Sequence, residues 1–216
     1  MSEFEIKTFD SSYEKQVIDL WKEGTLGVAE KVSSFTLFKQ TWLWRLIPLF
    51  FSIIRFYNTS AITAIIYFIY CYYYSQKVKK HIEKYVETQD DMKSSETIIQ
   101  NYLTSERNHF WILTKGDELY GCIAVKEKDE KTAELLRMSI SKKFQRQGFG
   151  KKLYSTLEKF CLEKNYGTIY LETTTLQKEA IKFYKKLGFY VVDVYQKERH
   201  FPIGKLEKYL KIKTSI

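Results

Sequence analysis

The sequence predicts an α/β fold that carries an inserted apolar helical hairpin. Three observations lead there. Short β-type runs alternate with amphipathic helical periods from Phe4 to Gln196. Charge nearly vanishes between Thr41 and Tyr74, where Arg45 and Arg55 are the only charged residues. A glycine-bearing turn, Gln145-Arg146-Gln147-Gly148-Phe149-Gly150, lies between a strand-like run and a strong helical period.

Each element follows from its local pattern. Phe4 to Thr8 alternates in character and reads as a strand. A helix is expected from about Ser12, because Val17, Leu20 and Trp21 recur at helical spacing, with Ser11 or Ser12 as its cap and Glu14 in its first turn. The apolar stretch divides into Thr41–Tyr57 and Ala61–Tyr74 around the polar turn Asn58-Thr59-Ser60, and Pro48 is expected to kink the first half. Each half spans roughly 21 to 26 Å as helix, short of a bilayer core about 30 Å thick. That length favours a hairpin that enters the membrane and returns, or a pair of short tilted spans. Lys31 and Lys39 precede the stretch and Lys77, Lys79, Lys80 and Lys84 follow it, which puts both ends on the cytoplasmic side. Trp42, Trp44, Tyr70, Tyr72, Tyr73 and Tyr74 read as interfacial belts. The competing reading is a buried helical pair in a soluble core.

Beyond the insert, Lys77–Asp91 and Ser94–Leu103 read as helices. Phe110–Thr114 and Leu119–Val125 form a hairpin about Lys115-Gly116-Asp117. Leu135–Ile140 is a strand, Gly150–Lys164 a helix with Leu153, Leu157, Phe160 and Cys161 on one face, Thr168–Thr173 a strand, Lys178–Leu187 a helix and Tyr190–Gln196 a strand. The expected organisation is residues 1–35 as the first strand and helix, 36–76 as the membrane-associated insert, and 77–216 as the main body.

Composition narrows the function classes. A chain of 216 residues allows one large domain or one domain plus an insert. Hydrophobic residues at 44% and charged residues at 28% argue against disorder. Three cysteines without a CxxC pair argue against a disulfide scaffold or a cysteine zinc site. Cys71, Cys122 and Cys161 read as small core or membrane residues. His81, His109 and His200 show no metal spacing, so no metal is expected. Met1 to Asp10 has no apolar core segment and does not read as a signal peptide. The net charge of +9 suits an anionic ligand, a membrane surface or nucleic acid, but no nucleic-acid module is recognisable and no such partner is expected.

The glycine turn carries the chemistry. Glycines let backbone N–H groups approach a ligand. The helix behind the turn offers unsatisfied donors and the positive end of its dipole. Arg146, Lys151 and Lys152 add full charges, and together these groups suit a pyrophosphate. The pattern is neither a P-loop nor GxGxxG. Further along comes Ala180-Ile181-Lys182-Phe183-Tyr184-Lys185-Lys186-Leu187-Gly188-Phe189.

The QxxGxG turn followed by A-x-x-F-Y-x-x-L-G-F resembles the GNAT superfamily of acetyl-CoA-dependent N-acyltransferases. The resemblance covers roughly Phe4–Glu30 and Lys77–Gln196. A narrower resemblance, to the camello-like membrane acetyltransferases, rests on Glu134-Leu135-Leu136-Arg137-Met138-Ser139-Ile140, on Leu171-Glu172-Thr173-Thr174, on Gln177 and on the apolar insert. That group includes cysteine S-conjugate and aspartate N-acetyltransferases anchored in the endoplasmic reticulum membrane with the catalytic domain in the cytosol.

The resemblance implies a GNAT-like mixed central sheet flanked by helices, whose two central strands splay to admit acetyl-CoA. It assigns the cofactor to Met138, Ser139 and Ile140, to the turn residues Gln145, Arg146, Gln147, Gly148, Phe149, Gly150 and Lys151, and to Gln177, where the superfamily usually has Asn. Tyr184 matches the general acid that protonates the leaving thiolate. Glu134 and Glu172 are the candidate bases, directly or through water, and Arg137 is placed to pair with one of them or with a substrate carboxylate. Strand alternation puts Glu134 and Arg137 on opposite faces. The expected activity is transfer of an acetyl group to a small acidic or cysteine-derived amine. The alternatives are protein lysine or N-terminal acetylation at the membrane surface, and a non-catalytic acetyl-CoA-binding scaffold.

Overall fold

The computed structural model describes residues 3–25, 27, 65–66, 68–70, 72–73, 76–77, 79–80, 83–84, 86, 88–174, 177–196 and 202–209. The chain divides into two compact units, one of Met1–Gly24 with Gln89–Ile216 and one of Thr25–Thr88.

The first unit is built on a seven-stranded sheet. Its strands are β1 (Glu5–Thr8), β2 (His109–Lys115), β3 (Glu118–Glu127), β4 (Thr132–Ile140), β5 (Thr168–Thr174), β6 (Tyr190–Gln196) and β7 (Pro202–Tyr209). The spatial order is β1-β2-β3-β4-β5-β7-β6. Only the β4–β5 pair is parallel, so the sheet is mixed. The helices are α1 (residues 14–25), α2 (Ser95–Tyr102), α3 (Phe149–Glu163) and α4 (Lys178–Lys186).

One face of the sheet packs on α3. Leu153, Leu157 and Cys161, a helical stripe, meet Ile123, Val125, Leu135, Ile169 and Leu171, all nearly inaccessible to solvent. Burying each large aliphatic side chain contributes about 1.5–3 kcal/mol. The opposite face is covered by α2, where Tyr102 meets Phe110 edge to face at 5.4 Å. Val17, Leu20 and Trp21 of α1 are buried as their spacing requires. His109 packs at a tilt against the Trp111 ring and meets Thr8 Oγ1 at 3.0 Å, and Cys122 and Cys161 are buried thiols.

Two local expectations are corrected. The first helix is entered through a 3₁₀ turn, Ser11–Tyr13, capped by Asp10 rather than by a serine, because the Asp10 carboxylate accepts the Ser12 N–H at 2.8 Å. Strand β7 was not anticipated. It carries a proline and a glycine and inserts antiparallel between β5 and β6.

The expected hairpin's first half and turn, with Trp42, Trp44 and Pro48, lie outside the described residues, as does Cys71. In the second unit, the described residues between 65 and 86 are helical. Ile65, Ile66, Phe68, Ile69, Tyr70, Tyr72 and Tyr73 are exposed there. Among the described residues, no helix is long and apolar enough to cross a membrane.

Candidate active site

The site begins where two strands part. β4 and β5 pair at Thr132↔Thr168, Ala133↔Ile169 and Glu134↔Tyr170, and no further. Beyond Glu134 the two strands leave a gap in the sheet between Leu135–Ile140 and Leu171–Thr174. On its other side β4 stays paired with β3, but with a bulge: Ala124 faces Leu136 while Cys122 faces Ser139. One residue of β3 is therefore matched by two of β4, Arg137 and Met138. Arg137 takes φ 51°. For a residue with a Cβ this conformation costs about 1–3 kcal/mol and persists only when its surroundings impose it.

The bulge reverses the expected placement of Arg137. Glu134 is cross-strand from Lys126, whose ammonium donates to Asn101 Oδ1 of α2 at 3.2 Å. Arg137 also turns to this face, where its Nε and Nη2 donate to the two Asp91 carboxylate oxygens at 2.9 and 2.6 Å. Glu134 and Arg137 thus share a face. The extra residue in β4 is what defeats simple alternation.

The glycine turn meets the requirements of an anion site. A 3₁₀ turn, Lys142–Phe144, leads into it. Gln145 donates its side-chain amide to the Ile140 carbonyl at 3.1 Å, and Gln147 donates to that of Lys143 at 3.3 Å, so both glutamines brace the turn itself. Gly148 is the N-cap of α3 with φ 85°, a region that favours glycine, and no side chain caps the helix. A Cβ at Gly148 would meet nothing within 4 Å, so the helix start is open. The first turn holds no acidic residue, and Arg146 and Lys151 are exposed beside it. Phe149 is buried and anchors the turn against Phe4 and Tyr120 at 4.7 and 5.5 Å. Open N–H groups, a helix dipole and flanking cations, without a competing carboxylate, fit a pyrophosphate.

Tyr184 approaches the gap from the α3 side. Helix α4 buries its ring beside Phe183 and Phe189, and its hydroxyl donates to Met138 Sδ at 3.6 Å. Burial pushes the phenol well above its ordinary value, which keeps it protonated at neutral pH. Gly150 lies under Met138 and Phe183: a Cβ there would stand 3.3 Å from Met138 Cε and 3.4 Å from Phe183 Cζ. Ile140 Cδ1 lies over Gly121, and Ser139 Oγ lies beside Gly24. Gln177 is the N-cap residue of α4 and makes no side-chain capping bond.

The carboxylates approach from the α2 side. Glu134 is half-buried, and its carboxyl is pushed above the usual range, chiefly by burial; Lys128 opposes the shift and the Glu172 charge adds to it. Glu172 accepts a hydrogen bond from the Tyr170 hydroxyl. Lys128 Nζ stands 3.1 Å from the Tyr170 ring centroid. An acid kept protonated on one side of a gap and a carboxylate of raised basicity on the other are the two proton-handling groups an amine acylation needs. Sequence reasoning missed Asp91, Tyr102, Lys126, Lys128 and Tyr170. Only the strand register sets Lys126 and Tyr170 on either side of Glu134, and Lys128 joins them from the turn after β3, over the Tyr170 ring. Among the described residues, no group of three or more His, Cys, Asp or Glu is arranged to hold a metal.

The family model described as the acetyltransferase (GNAT) family matches residues 71–189. The chain is 34% identical to human N-acetylaspartate synthetase over 55% of its own length and 38% of that protein's. The zebrafish (Danio rerio) N-acetylaspartate synthetase is 28% identical over 85% of this chain and 66% of its own. Rat (Rattus norvegicus) N-acetyltransferase 8F1 is 27% identical over 88% and 87% respectively. The chain thus spans little more than a third of the human relative. These relatives support the camello-like aspartate N-acetyltransferase group. A GNAT-family acetyltransferase structure from Staphylococcus aureus Mu50 shares the fold, with a TM-score of 0.60 at 18% identity, covering 97% of this chain and all of that one. The matched model spans more than half of the chain, and the chain belongs to the acetyltransferase (GNAT) family, whose members use acetyl-CoA.

Proposed function

We propose that this chain transfers the acetyl group of acetyl-CoA to the amine of a small acidic or cysteine-derived metabolite. The reading rests on one observation above all: β4 and β5 stop pairing after Glu134 and Tyr170, and opposed proton-handling groups flank the opening. The names of the N-acetylaspartate synthetases support an acidic acceptor.

When bound, acetyl-CoA supplies an acetyl thioester, the electrophile. The α3 N-terminus, Arg146 and Lys151 would hold its pyrophosphate, and the backbone of Met138 to Ile140, together with Gln177, would hold its pantetheine arm. Glu134 takes a proton from the attacking amine, directly or through water, with Glu172 as the second carboxylate of the pair. Tyr184 keeps a proton on its hydroxyl for the departing sulfur. Holding amine and carbonyl together supplies much of the rate, as in any direct transfer between two bound groups. Lys126 and Lys128 give the acceptor side a positive field suited to a substrate carboxylate.

We further propose that residues 41–74 anchor the enzyme in a membrane, in the manner expected of an endoplasmic reticulum protein whose catalytic unit faces the cytosol. The support is sequence alone: two apolar segments flanked by lysines and aromatic residues.

The test is thiol release from acetyl-CoA by the full chain in detergent. The panel holds aspartate, cysteine S-conjugates, other amino acids and a lysine peptide. A strong response to aspartate or to one S-conjugate is expected. A response to the lysine peptide alone would move the acceptor class to proteins, and silence across the panel would overturn the catalytic reading. Deleting residues 42–73 is expected to move the protein from the membrane pellet to the supernatant; persistence in the pellet contradicts the anchor.

A further inference from the structure

The sequence placed Arg137 to pair with Glu134, Glu172 or a substrate carboxylate, and in the structure its guanidinium is held by Asp91. Among the described residues, Arg137 is the one strand residue other than glycine with a positive φ. Its side chain is held from several directions. Asp91 takes Nε and Nη2 in a two-point fork at 2.9 and 2.6 Å. Gln89 Oε1 accepts a further bond from Nη2 at 3.0 Å. The Tyr102 hydroxyl bonds to Asp91 and stands 3.4 Å from Nε, and the Trp21 ring lies 5.1 Å from the guanidinium carbon. The Arg137 and Asp91 side chains are only 13% and 19% exposed. The backbone is held too, since Cys122 Sγ donates to the Arg137 carbonyl at 3.2 Å.

We propose that Asp91 is a positioning residue: by clamping Arg137 it holds the β4 bulge that turns Met138 toward Tyr184 and keeps β4 parted from β5. The physical reason is the period of a strand. Side chains alternate, so removing the extra residue at the bulge would send those beyond it to the opposite face. Met138 would then leave Tyr184, and the backbone edge assigned to the pantetheine arm would turn with it. Asp91 and Gln89 lie outside every motif in the chain, immediately after the inserted unit Thr25–Thr88. The acetyl-CoA part of this inference rests on the proposed function.

Two forms of the full chain test it, Asp91→Asn and the double variant Asp91→Asn/Arg137→Gly. Glycine adopts positive φ without restraint, so the double variant no longer needs a clamp and leaves no lone buried charge. Asp91→Asn is expected to raise the KM for acetyl-CoA by about tenfold and leave the KM for the amine within about twofold. In the double variant the acetyl-CoA KM is expected to return to within about threefold of the parent. Amide hydrogen exchange, read without any ligand, is expected to quicken across 136–140 in Asp91→Asn and to recover in the double variant. A double variant whose acetyl-CoA KM stays as high as that of Asp91→Asn, with exchange across 136–140 still quickened, would overturn the proposal. Unchanged exchange in Asp91→Asn would overturn it as well. A parent chain that neither binds nor consumes acetyl-CoA refutes the proposed function, and the exchange data still decide the clamp.

Discussion

Gly148 separates two effects that most substitutions in a binding turn confound. It caps α3 with φ 85°, and a Cβ there would meet nothing within 4 Å. Gly148→Ala therefore brings no clash and only the cost of a side chain in the left-handed region, about 1–2 kcal/mol. For a chain of this size that lowers the melting temperature by roughly 2–8 °C. Gly148→Glu carries the same backbone cost, but its carboxylate sits at a helix start with no acidic residue in the first turn. There it stabilises the free helix by about 0.3–1 kcal/mol. The same carboxylate opposes a pyrophosphate, at about 1–3 kcal/mol for like charges a few ångströms apart near the surface. Stability and affinity should therefore move in opposite directions. Gly148→Glu should melt no lower than Gly148→Ala and bind acetyl-CoA about 10–100-fold more weakly. Differential scanning fluorimetry and titration calorimetry on the full chain read the two quantities. Equal acetyl-CoA affinity in the two variants would refute the assignment of the pyrophosphate to this helix.

Three further outcomes are expected. Tyr184→Phe should lower kcat about 10²–10⁴-fold while acetyl-CoA affinity and melting temperature hold, because the hydroxyl gives up one weak hydrogen bond, to the Met138 sulfur; a kcat loss under fivefold would remove Tyr184 as the acid. Glu134 acts as base only when ionised, so the rate should rise with pH through its raised pKa, and Glu134→Gln should remove that acidic limb from the kcat/KM profile. The same shift has a stability consequence: the folded state holds this proton more tightly than the unfolded chain, so the stabilisation is full below the ordinary Glu value and is lost as pH rises through the folded value. Glu134→Gln should therefore melt no lower than the parent at pH 7, and a marked drop would show that the carboxylate is a structural partner instead. Gly121→Ala places a Cβ 2.8 Å from the Ser139 carbonyl oxygen and 2.5 Å from Ile140 Cδ1, and should destabilise by about 1–3 kcal/mol, read by urea unfolding; a neutral result would mean the β3–β4 register is misplaced.

Local signals determined much of this protein. Leu153, Leu157 and Cys161 recur at helical spacing and do pack α3 on the sheet. The glycines and cations of the turn announced a helix start with no side-chain cap and no acid in its first turn, since the signal sits in adjacent residues. Tyr184 was legible because its flanking motif is contiguous. Strand β7 had no such local signal, and its pairing partners on both sides come from β5 and β6.

What only the tertiary structure decided is which distant groups meet at the opening. Nothing near Arg137 in sequence shows that Asp91 will take its guanidinium, and alternation alone put it on the wrong face of β4. One extra residue in a strand changes the face of its neighbours, and it is set by the partner strand and by the side chains that hold the bulge. The parting of β4 from β5, which makes the cleft, is likewise a property of paired strands and of no single segment. Motifs written in consecutive residues were therefore readable from the chain, while the carboxylate and cation cluster beside the opening, assembled from β3, β4, β5 and the turn before α2, existed only once those elements were in register.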